Sequence, residues 1–326
     1  MTDLYYLSFR DIASNGLGVT SGEVYVQRDV TPATDWPHTA PSSFEWVPWA
    51  QVPELFRNKR VCFLVHGFNV PVSHAVWCEG PAAQEFEALG PLGLKITAAD
   101  LVVVVMWPGD GLIGWSWFNA IDSSKDTAGR FAEFLASSAF TASEVAFVSH
   151  SLGARVVLET VERAISLGAR AAFTTAVLMA AAVHDDALDD AEYAASSARL
   201  GRIVVVSSMK DEVLAIAFGL GGFAERAMWP AISRALGRFG PAFKSGSRFP
   251  AKTEWYEIRP ALDQGHGDYL PAGDELPGPP YGWSEKRRDV AILCRDLFDA
   301  QPFLPGLMGW GIDHTASFRP TWTPKL

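Results

Sequence analysis

Six short apolar runs, each followed by a turn and an amphipathic stretch, constrain the fold of this chain more than any other feature. The runs are Val61–Val65, Leu101–Met106, Val145–Val148, Thr175–Val183, Ile203–Val206 and Glu254–Ile258. Solid runs separated by helical segments are typical of parallel strands covered on both faces. We therefore predict an α/β fold with a mostly parallel central sheet and helices on both faces. The helices are predicted at Val72–Leu89, Ser124–Ser137, Leu152–Ser166, around Val213–Leu236 and at Ser284–Phe298.

The segments around this core predict one domain, residues 1–326, with several additions. Alternating apolar residues within 1–30 predict an N-terminal antiparallel hairpin, and residues 31–58 read as a proline-rich loop. Residues 212–250 are apolar enough for a lid over a site, although a buried helix or a dimer surface explains them equally well. The sequence therefore leaves open whether the protein forms a homo-oligomer. Residues 301–326 are predicted to be a C-terminal tail that packs on the domain.

Composition excludes several classes of protein. The chain has 326 residues, 48% of them hydrophobic and 20% charged, which excludes a disordered chain. The net charge of −10 argues against a nucleic-acid partner, because such binders need a basic surface. Cysteine and histidine spacing indicates no metal site, and we predict no metal and no organic cofactor. The N-terminus lacks a signal-peptide pattern and no apolar run approaches the length of a membrane helix, so we predict a soluble, cytoplasmic protein.

The segment Val145–Ala154 reads as a strand, a sharp turn and a helix. Its centre, Ser149-His150-Ser151-Leu152-Gly153, follows the G-x-S-x-G nucleophile elbow with a serine in place of the first glycine. Such a turn exposes the central hydroxyl above the sheet and requires small residues two positions to either side. We therefore predict that Ser151 is a nucleophile; the alternative is a structural turn with an inert serine.

A serine nucleophile needs a base to take its proton. His266 follows the last predicted strand, between two glycines, and is the predicted base. His184, which follows the fourth run, is the rival base. His66 ends the first predicted strand, and we predict that it braces the adjacent loop.

The base in turn needs an acid that orients it, and we predict Asp211. The resulting order Ser151, Asp211, His266 is the one that this architecture requires. Asp211 also reads as a plain helix N-cap. Asp185 or Asp186 could supply the acid instead, from the end of the preceding strand.

An oxyanion hole needs two main-chain N–H donors aimed at the developing charge. We predict the amides of Leu152, just after the nucleophile, and Phe68, in the loop after the first run. The substrate pocket is predicted to be lined by His150, Asn69, Trp107, Trp115, Trp117 and Phe218.

These motifs resemble the α/β-hydrolase superfamily and, more narrowly, the bacterial α/β-hydrolases grouped as domain of unknown function 900. The resemblance is carried by Phe63–Val70, Met106–Gly111 and Ser149–Gly153, and covers about residues 4–270. It implies a serine-hydrolase fold with Ser151, Asp211 and His266 in the triad positions. The sequence departs from the family at residues 184–186, where a Pro-Asp pair is usual, and this weakens the case for Asp185.

The sequence thus predicts a serine hydrolase that cleaves small-molecule carboxylic esters, with apolar acyl groups or small esters, through an acyl-enzyme. Thioesterase, amidase and acyltransferase activities use the same residues and stay open. A non-catalytic binding module on the same fold would need a broken triad. A hydrolase that uses His184 with Asp186 would need a different base and acid.

Overall fold

The structure, a computed structural model, describes residues 2–10, 19–30, 44–68, 96, 98–109, 116–189, 191–218, 234–242, 253–258, 265–267, 269, 297–298 and 312–314. For a few residues at the ends of strands and helices only the backbone is described. These residues contain a ten-stranded sheet and the helices that position the candidate site.

The strands form one sheet in the order β10-β9-β8-β7-β6-β4-β5-β1-β2-β3. Their bounds are β1 Thr2–Arg10, β2 Val19–Val30, β3 Phe44–Trp46, β4 Arg60–Val65, β5 Leu101–Met106, β6 Glu144–His150, β7 Ala172–Met179, β8 Arg202–Ser208, β9 Thr253–Ile258 and β10 Ile312–His314. Strands β4 to β9 pair in parallel, so their carboxyl ends lie at one edge of the sheet. Five of these strands contain a predicted run in full and β7 contains the first part of the fourth run, so the predicted mostly parallel sheet is confirmed.

Both faces of the central strands are covered. All seven residues of β8 are buried, as are the last five of β4. Because consecutive side chains of a strand point to opposite faces, unbroken burial requires layers on both sides. This explains why the runs are solid rather than alternating.

One strand ends earlier than predicted. The run Thr175–Val183 was predicted as strand throughout, but β7 stops at Met179. The next residue, Ala180, has a φ of 45°, in the left-handed region, which breaks the extended backbone. Ala180 to Val183 are buried in the turn that follows, so burial alone did not mark the end of the strand.

Antiparallel strands complete both edges of the sheet. At one edge β1 pairs antiparallel with β2 and β2 with β3, as the predicted hairpin requires, while β1 itself runs parallel to β5. The region 31–58, predicted as a loop, includes β3 and a short helix. At the other edge β10, from the predicted tail, pairs antiparallel with β9. The sequence analysis did not predict this second edge.

The described helices are α1 Val52–Phe56, α2 Ser116–Ala136, α3 Gly153–Ser166, α4 Ala194–Arg199 and α5 Leu236–Phe239, with 3-10 turns at Trp49–Gln51 and Ala191–Tyr193 and a π-helical turn at Leu214–Phe218. Helices α2 and α3 contact each other and the sheet, and α3 matches its prediction within one residue. Two predicted helices lie outside the described residues: Val72–Leu89, and Ser284–Phe298 apart from its last two residues. No described helix has the length and apolarity needed to cross a membrane.

Aromatic side chains join α2 to the strands beneath the site. Phe131 of α2 contacts Phe63 of β4, with ring centroids 4.9 Å apart, and Phe147 of β6, at 6.1 Å. Phe63 and Phe147 stack on each other at 5.9 Å. All three are fully buried, so this cluster fixes the two strands whose carboxyl ends carry the candidate site.

Candidate active site

Ser151 occupies the tip of a strained turn between β6 and α3. Its φ is 53°, a left-handed conformation that side chains other than glycine rarely adopt. The turn is held from β7: the Ser151 N–H donates to the oxygen of Met179 at 3.0 Å, and the Ala182 N–H donates to the oxygen of Ser151 at 3.0 Å. The last residue of β7 and the turn after it therefore hold the backbone of Ser151 on both sides of its Cα.

The small residues flanking Ser151 are required by close contacts. A Cβ at Gly153 would lie 2.5 Å from the main-chain oxygens of both Val65 and His66. Ser149 is fully buried, and its hydroxyl donates to the oxygen of Val177 at 3.2 Å. A serine is therefore tolerated at the position of the usual first glycine because it is small and its hydroxyl is paired.

The structure brings Ser151, His266 and Asp211 into one chain of hydrogen bonds. Nε2 of His266 lies 3.0 Å from Oγ of Ser151, and Nδ1 lies 2.8 Å from Oδ2 of Asp211. A carboxylate only accepts, so Nδ1 carries the hydrogen and Nε2 is left to accept from the serine. The serine residue is 2% exposed, the aspartate side chain 0% and the histidine side chain 15%.

Asp211 uses both carboxylate oxygens. While Oδ2 faces His266, Oδ1 accepts a hydrogen bond of 2.9 Å from the N–H of Leu214. One carboxylate oxygen of Asp211 therefore caps the turn that begins at Leu214, while the other faces the imidazole of His266. The main-chain N–H of Asp211 donates to Ser208 at the end of β8, at 3.1 Å.

Two rival residues, His184 and Asp185, have contacts with the segment around Ala235. His184 forms an isolated antiparallel bridge with Ala235, and it is 7% exposed. Asp185 forms an ion pair of 2.8 Å with Arg234. Among the described residues, the carboxylate within hydrogen-bond distance of His266 is that of Asp211.

Arg238 is a contact that the sequence analysis missed. Its Nη1 donates to the main-chain oxygen of Asp211 at 2.8 Å, from α5 in the region predicted as a lid. In this region, residues 234–242 pack closely against the turn after β7. A Cβ at Gly237 would lie 2.0 Å from the nitrogen of Ala181, so only glycine fits there. Residues 219–233 and 243–250 of the predicted lid lie outside the described part of the chain.

The two predicted oxyanion amides differ in what surrounds them. Leu152 is fully buried, and within the described part of the chain its N–H has no hydrogen-bond acceptor. Phe68 is half-buried and packs against the core. The contact of Gly153 with His66 places the start of α3 against the loop that leads to Phe68.

His66 and Trp107 brace that loop together. Nδ1 of His66 donates to the oxygen of Gly67 at 2.8 Å, and Nε2 accepts from the N–H of Trp107 at 3.2 Å. The indole Nε1 of Trp107 donates to the oxygen of His66 at 2.8 Å, and the rings stack with centroids 5.4 Å apart. Trp107, predicted in the substrate pocket, is thus fully buried as a structural partner of His66.

The remaining predicted pocket residues are placed as follows. His150 is 2% exposed, and its Nε2 lies 2.8 Å from the main-chain oxygen of His266. Trp117 is the second residue of α2 and Phe218 ends the π-helical turn, with only their backbones described. Asn69 and Trp115 lie outside the described residues.

Among the residues that the structure describes, no cluster of three or more His, Cys, Asp or Glu side chains could hold a metal ion.

A mostly parallel sheet with a sharp turn from the carboxyl end of a central strand into a helix is the architecture of an α/β hydrolase. Residues 52–234, more than half of the chain, match the family described as "Alpha/beta hydrolase of unknown function (DUF900)". The chain belongs to this family, and the resemblance found in the sequence is confirmed.

Several solved structures are similar to this chain, all at low identity. The hyperthermophilic esterase of the archaeon Pyrobaculum calidifontis is 12% identical, over 91% of this chain and 82% of that chain, with a TM-score of 0.40. An esterase of the fungus Rhizomucor miehei is 12% identical, over 91% and 84%, with a TM-score of 0.39. Esterase 2 of Thermogutta terrifontis is 13% identical, over 83% and 87%, with a TM-score of 0.35. No curated protein matches the sequence.

Proposed function

We propose that this protein is a serine hydrolase that cleaves carboxylic esters through an acyl-enzyme intermediate. The observation that carries the proposal is the chain of hydrogen bonds from Ser151 through His266 to Asp211, at 3.0 and 2.8 Å. Membership of an α/β-hydrolase family supports the same class of chemistry. Family membership alone does not give function, because function depends on the site.

Acylation begins when Oγ of Ser151 attacks the ester carbonyl carbon while its proton passes to Nε2 of His266. The carbonyl π electrons move to oxygen and give a tetrahedral oxyanion. When that oxyanion collapses, the bond to the alcohol oxygen breaks and His266 returns the proton to the leaving alkoxide. Asp211 holds the imidazole in the required tautomer and stabilises its protonated form.

Deacylation repeats these steps with water. His266 takes a proton from water as the water oxygen attacks the acyl carbon, and then returns the proton to Oγ of Ser151. The products are an alcohol and a carboxylic acid, and the enzyme is regenerated. The three side chains supply the nucleophile, the base and the group that orients the base.

The oxyanion is proposed to bind to the amides of Leu152 and Phe68. Among the described residues no acceptor meets the buried N–H of Leu152; unpaired buried N–H groups are rare in proteins, and a substrate oxygen would supply the acceptor. This amide also lies at the N-terminus of α3, where the helix dipole favours negative charge. Loss of one such donor costs on the order of 3 kcal/mol of transition-state stabilisation.

The acyl group is proposed to be apolar. Met209, Val213 and Ile216 flank Asp211 in the chain and expose their side chains. Rates of hydrolysis over a series of p-nitrophenyl esters of increasing acyl length test this part of the proposal. A kcat/KM that rises with the first added methylenes supports an apolar acyl site, whereas a steady decline contradicts it.

Covalent labelling tests the nucleophile directly. A fluorophosphonate reacts with an activated serine, and intact-mass spectrometry counts the adducts. We expect one adduct on the wild-type protein, none on Ser151→Ala, and one on the control Ser166→Ala, which changes an exposed serine at the end of α3. Absence of an adduct on folded wild-type protein, or an adduct on folded Ser151→Ala, overturns the proposal.

A further inference from the structure

His150 and His266 meet through a side chain and a main-chain oxygen. Nε2 of His150 lies 2.8 Å from the carbonyl oxygen of His266, 116 residues further along the chain. A carbonyl oxygen only accepts, so Nε2 of His150 carries the hydrogen and donates it. The two imidazole rings are 4.8 Å apart and tilted by 52°. Both ring nitrogens of His266 are already engaged with Ser151 and Asp211.

We propose that His150 is a positioning residue: its Nε2–H fixes the main chain of His266 and thereby holds the imidazole of that residue over Ser151. The inference rests on the proposed function, since it assigns His150 a part in the same reaction. It replaces the role in substrate contact that the sequence analysis gave to this side chain.

The position of His150 suits this task. It is the last residue of β6 and the immediate neighbour of Ser151, so the strand that carries the nucleophile also carries the donor. The side chain is almost fully buried, and Tyr269, also fully buried, lies near it with ring centroids 6.0 Å apart. A buried donor with its acceptor satisfied is costly to displace. The carbonyl of His266 is therefore tied to the strand of the nucleophile.

A main-chain anchor is needed because the side-chain hydrogen bonds of His266 change during the reaction. Nε2 accepts a proton from Ser151 and later returns it, so that contact cannot hold the ring constant. The bond to Asp211 fixes the tautomer but allows the ring and the carboxylate to move together. A catalytic group misplaced by about 1 Å can cost on the order of a hundredfold in rate. The bond from His150 is the described contact that fixes the backbone of His266 independently of its ring.

Two variants separate the donor from the volume of the side chain. Glutamine places an amide N–H near the position of the histidine Nε2, whereas leucine has comparable size and no donor. With a p-nitrophenyl ester, we expect His150→Leu to lower kcat by about ten- to a hundredfold. We expect KM to change little, because a positioning residue acts through His266 and not on the substrate. We expect His150→Gln to keep kcat within a few fold of wild type.

A proton resonance gives a readout that does not need turnover. The Nδ1 proton of a histidine bonded to a carboxylate resonates at unusually low field in ¹H NMR. We expect this signal from His266 in wild type and in His150→Gln, and expect it broadened or absent in His150→Leu. If His150→Leu does not fold, His150→Asn replaces it, because its amide is too short to reach the carbonyl.

The outcomes separate this inference from the proposed function. If wild-type Ser151 takes no fluorophosphonate, the proposed function fails, while the resonance in the variants still reports on positioning. If His150→Leu, or His150→Asn in its place, is folded and keeps both the wild-type kcat and the resonance, His150 does not position His266. If kcat falls as far in His150→Gln as in His150→Leu or its replacement His150→Asn, the inference is also overturned. The imidazole itself, rather than its hydrogen bond, would then be required.

Discussion

Nη1 of Arg238 donates a hydrogen bond of 2.8 Å to the main-chain oxygen of Asp211. The oxygen of His266 is bound in the same way by His150. Two members of the hydrogen-bonded chain at the site are thus held by their main chain as well as by their side chains. Arg238 also lies over the ring of Phe239, with Cζ 5.4 Å from its centroid, which limits the motion of the guanidinium.

Replacing Arg238 by methionine should impair both stability and ester hydrolysis. Methionine keeps the aliphatic length but removes the charged donor, which is worth about 1.5–3 kcal/mol in a folded protein. We expect the free energy of unfolding in urea to fall by the lower part of that range, and kcat to fall as Asp211 shifts. Arg234→Met is the matched control: its partner is Asp185, so it should cost stability with no loss of kcat. Equal kcat in the two variants would show that the contact with Asp211 is only structural.

Asp211→Asn should lower kcat/KM for an ester by about four orders of magnitude, because an amide no longer fixes the required imidazole tautomer. Asp185→Asn should leave kcat/KM near that of wild type, since its carboxylate pairs with Arg234. Steady-state kinetics of both variants, with their folding checked by circular dichroism, decide the matter. A larger loss of kcat/KM in Asp185→Asn than in Asp211→Asn would show that Asp185, in the loop after β7, is the acid that orients the base.

A single methyl group at Gly153 should disrupt the elbow. In Gly153→Ala the new Cβ would meet two main-chain oxygens at 2.5 Å, and backbone cannot move aside as a flexible side chain can. We expect the free energy of unfolding to fall by about 3 kcal/mol or more. Gly267→Ala is the control, since a Cβ there meets nothing within 4 Å. Thermal unfolding of the two variants provides the comparison; similar melting temperatures would contradict the close contact.

Stability in acid should depend on the surface pair of Asp100 and Arg60. Hydrogen bonds from the side chain and then the main-chain N–H of Arg60 lower the pKa of Asp100 below its usual value. A depressed folded-state pKa means that the stabilisation is complete above the unfolded-state value, about 3.9, and is lost as pH falls through the folded-state value. Both side chains are 44% exposed, so the contribution should not exceed about 1 kcal/mol.

Urea unfolding of wild type and Asp100→Asn at pH 7 and at about pH 3 tests this sign. We expect the variant to be less stable at pH 7 and the difference to shrink towards acid and with added salt. A difference that grows as pH falls would mean that Asp100 is stabilised in its protonated form.

The sequence was sufficient for those parts of the molecule whose physical requirements are local. Strands buried on both faces must be apolar at every position, and this placed β4 to β9. The elbow needs small residues at fixed distances from Ser151, and this marked the start of α3. The boundary of β7 was missed because Ala180 leaves the extended region without any change in apolar character.

The remaining parts depend on approaches between distant segments. Strand β10 pairs with β9 from a distant part of the chain, and three residues carry too little pattern to reveal it. The bond from Arg238 to Asp211 depends on how α5 lies against the residues that follow β8. Trp107 is a large aromatic residue of the kind expected in a substrate pocket. Its indole N–H nevertheless donates to the main-chain oxygen of His66 in the core.

The left-handed backbone of Ser151 has a consequence for how this protein can lose its chemistry. A residue other than glycine in that region costs of order 1–3 kcal/mol, and neighbouring Ala180 is in the same region. Glycine at position 151 would relieve that cost, whereas alanine would keep it while also losing the hydroxyl. Pressure for thermal robustness alone would therefore drive this position towards glycine. The hydroxyl of Ser151 is therefore held at a cost in stability that glycine at this position would not carry.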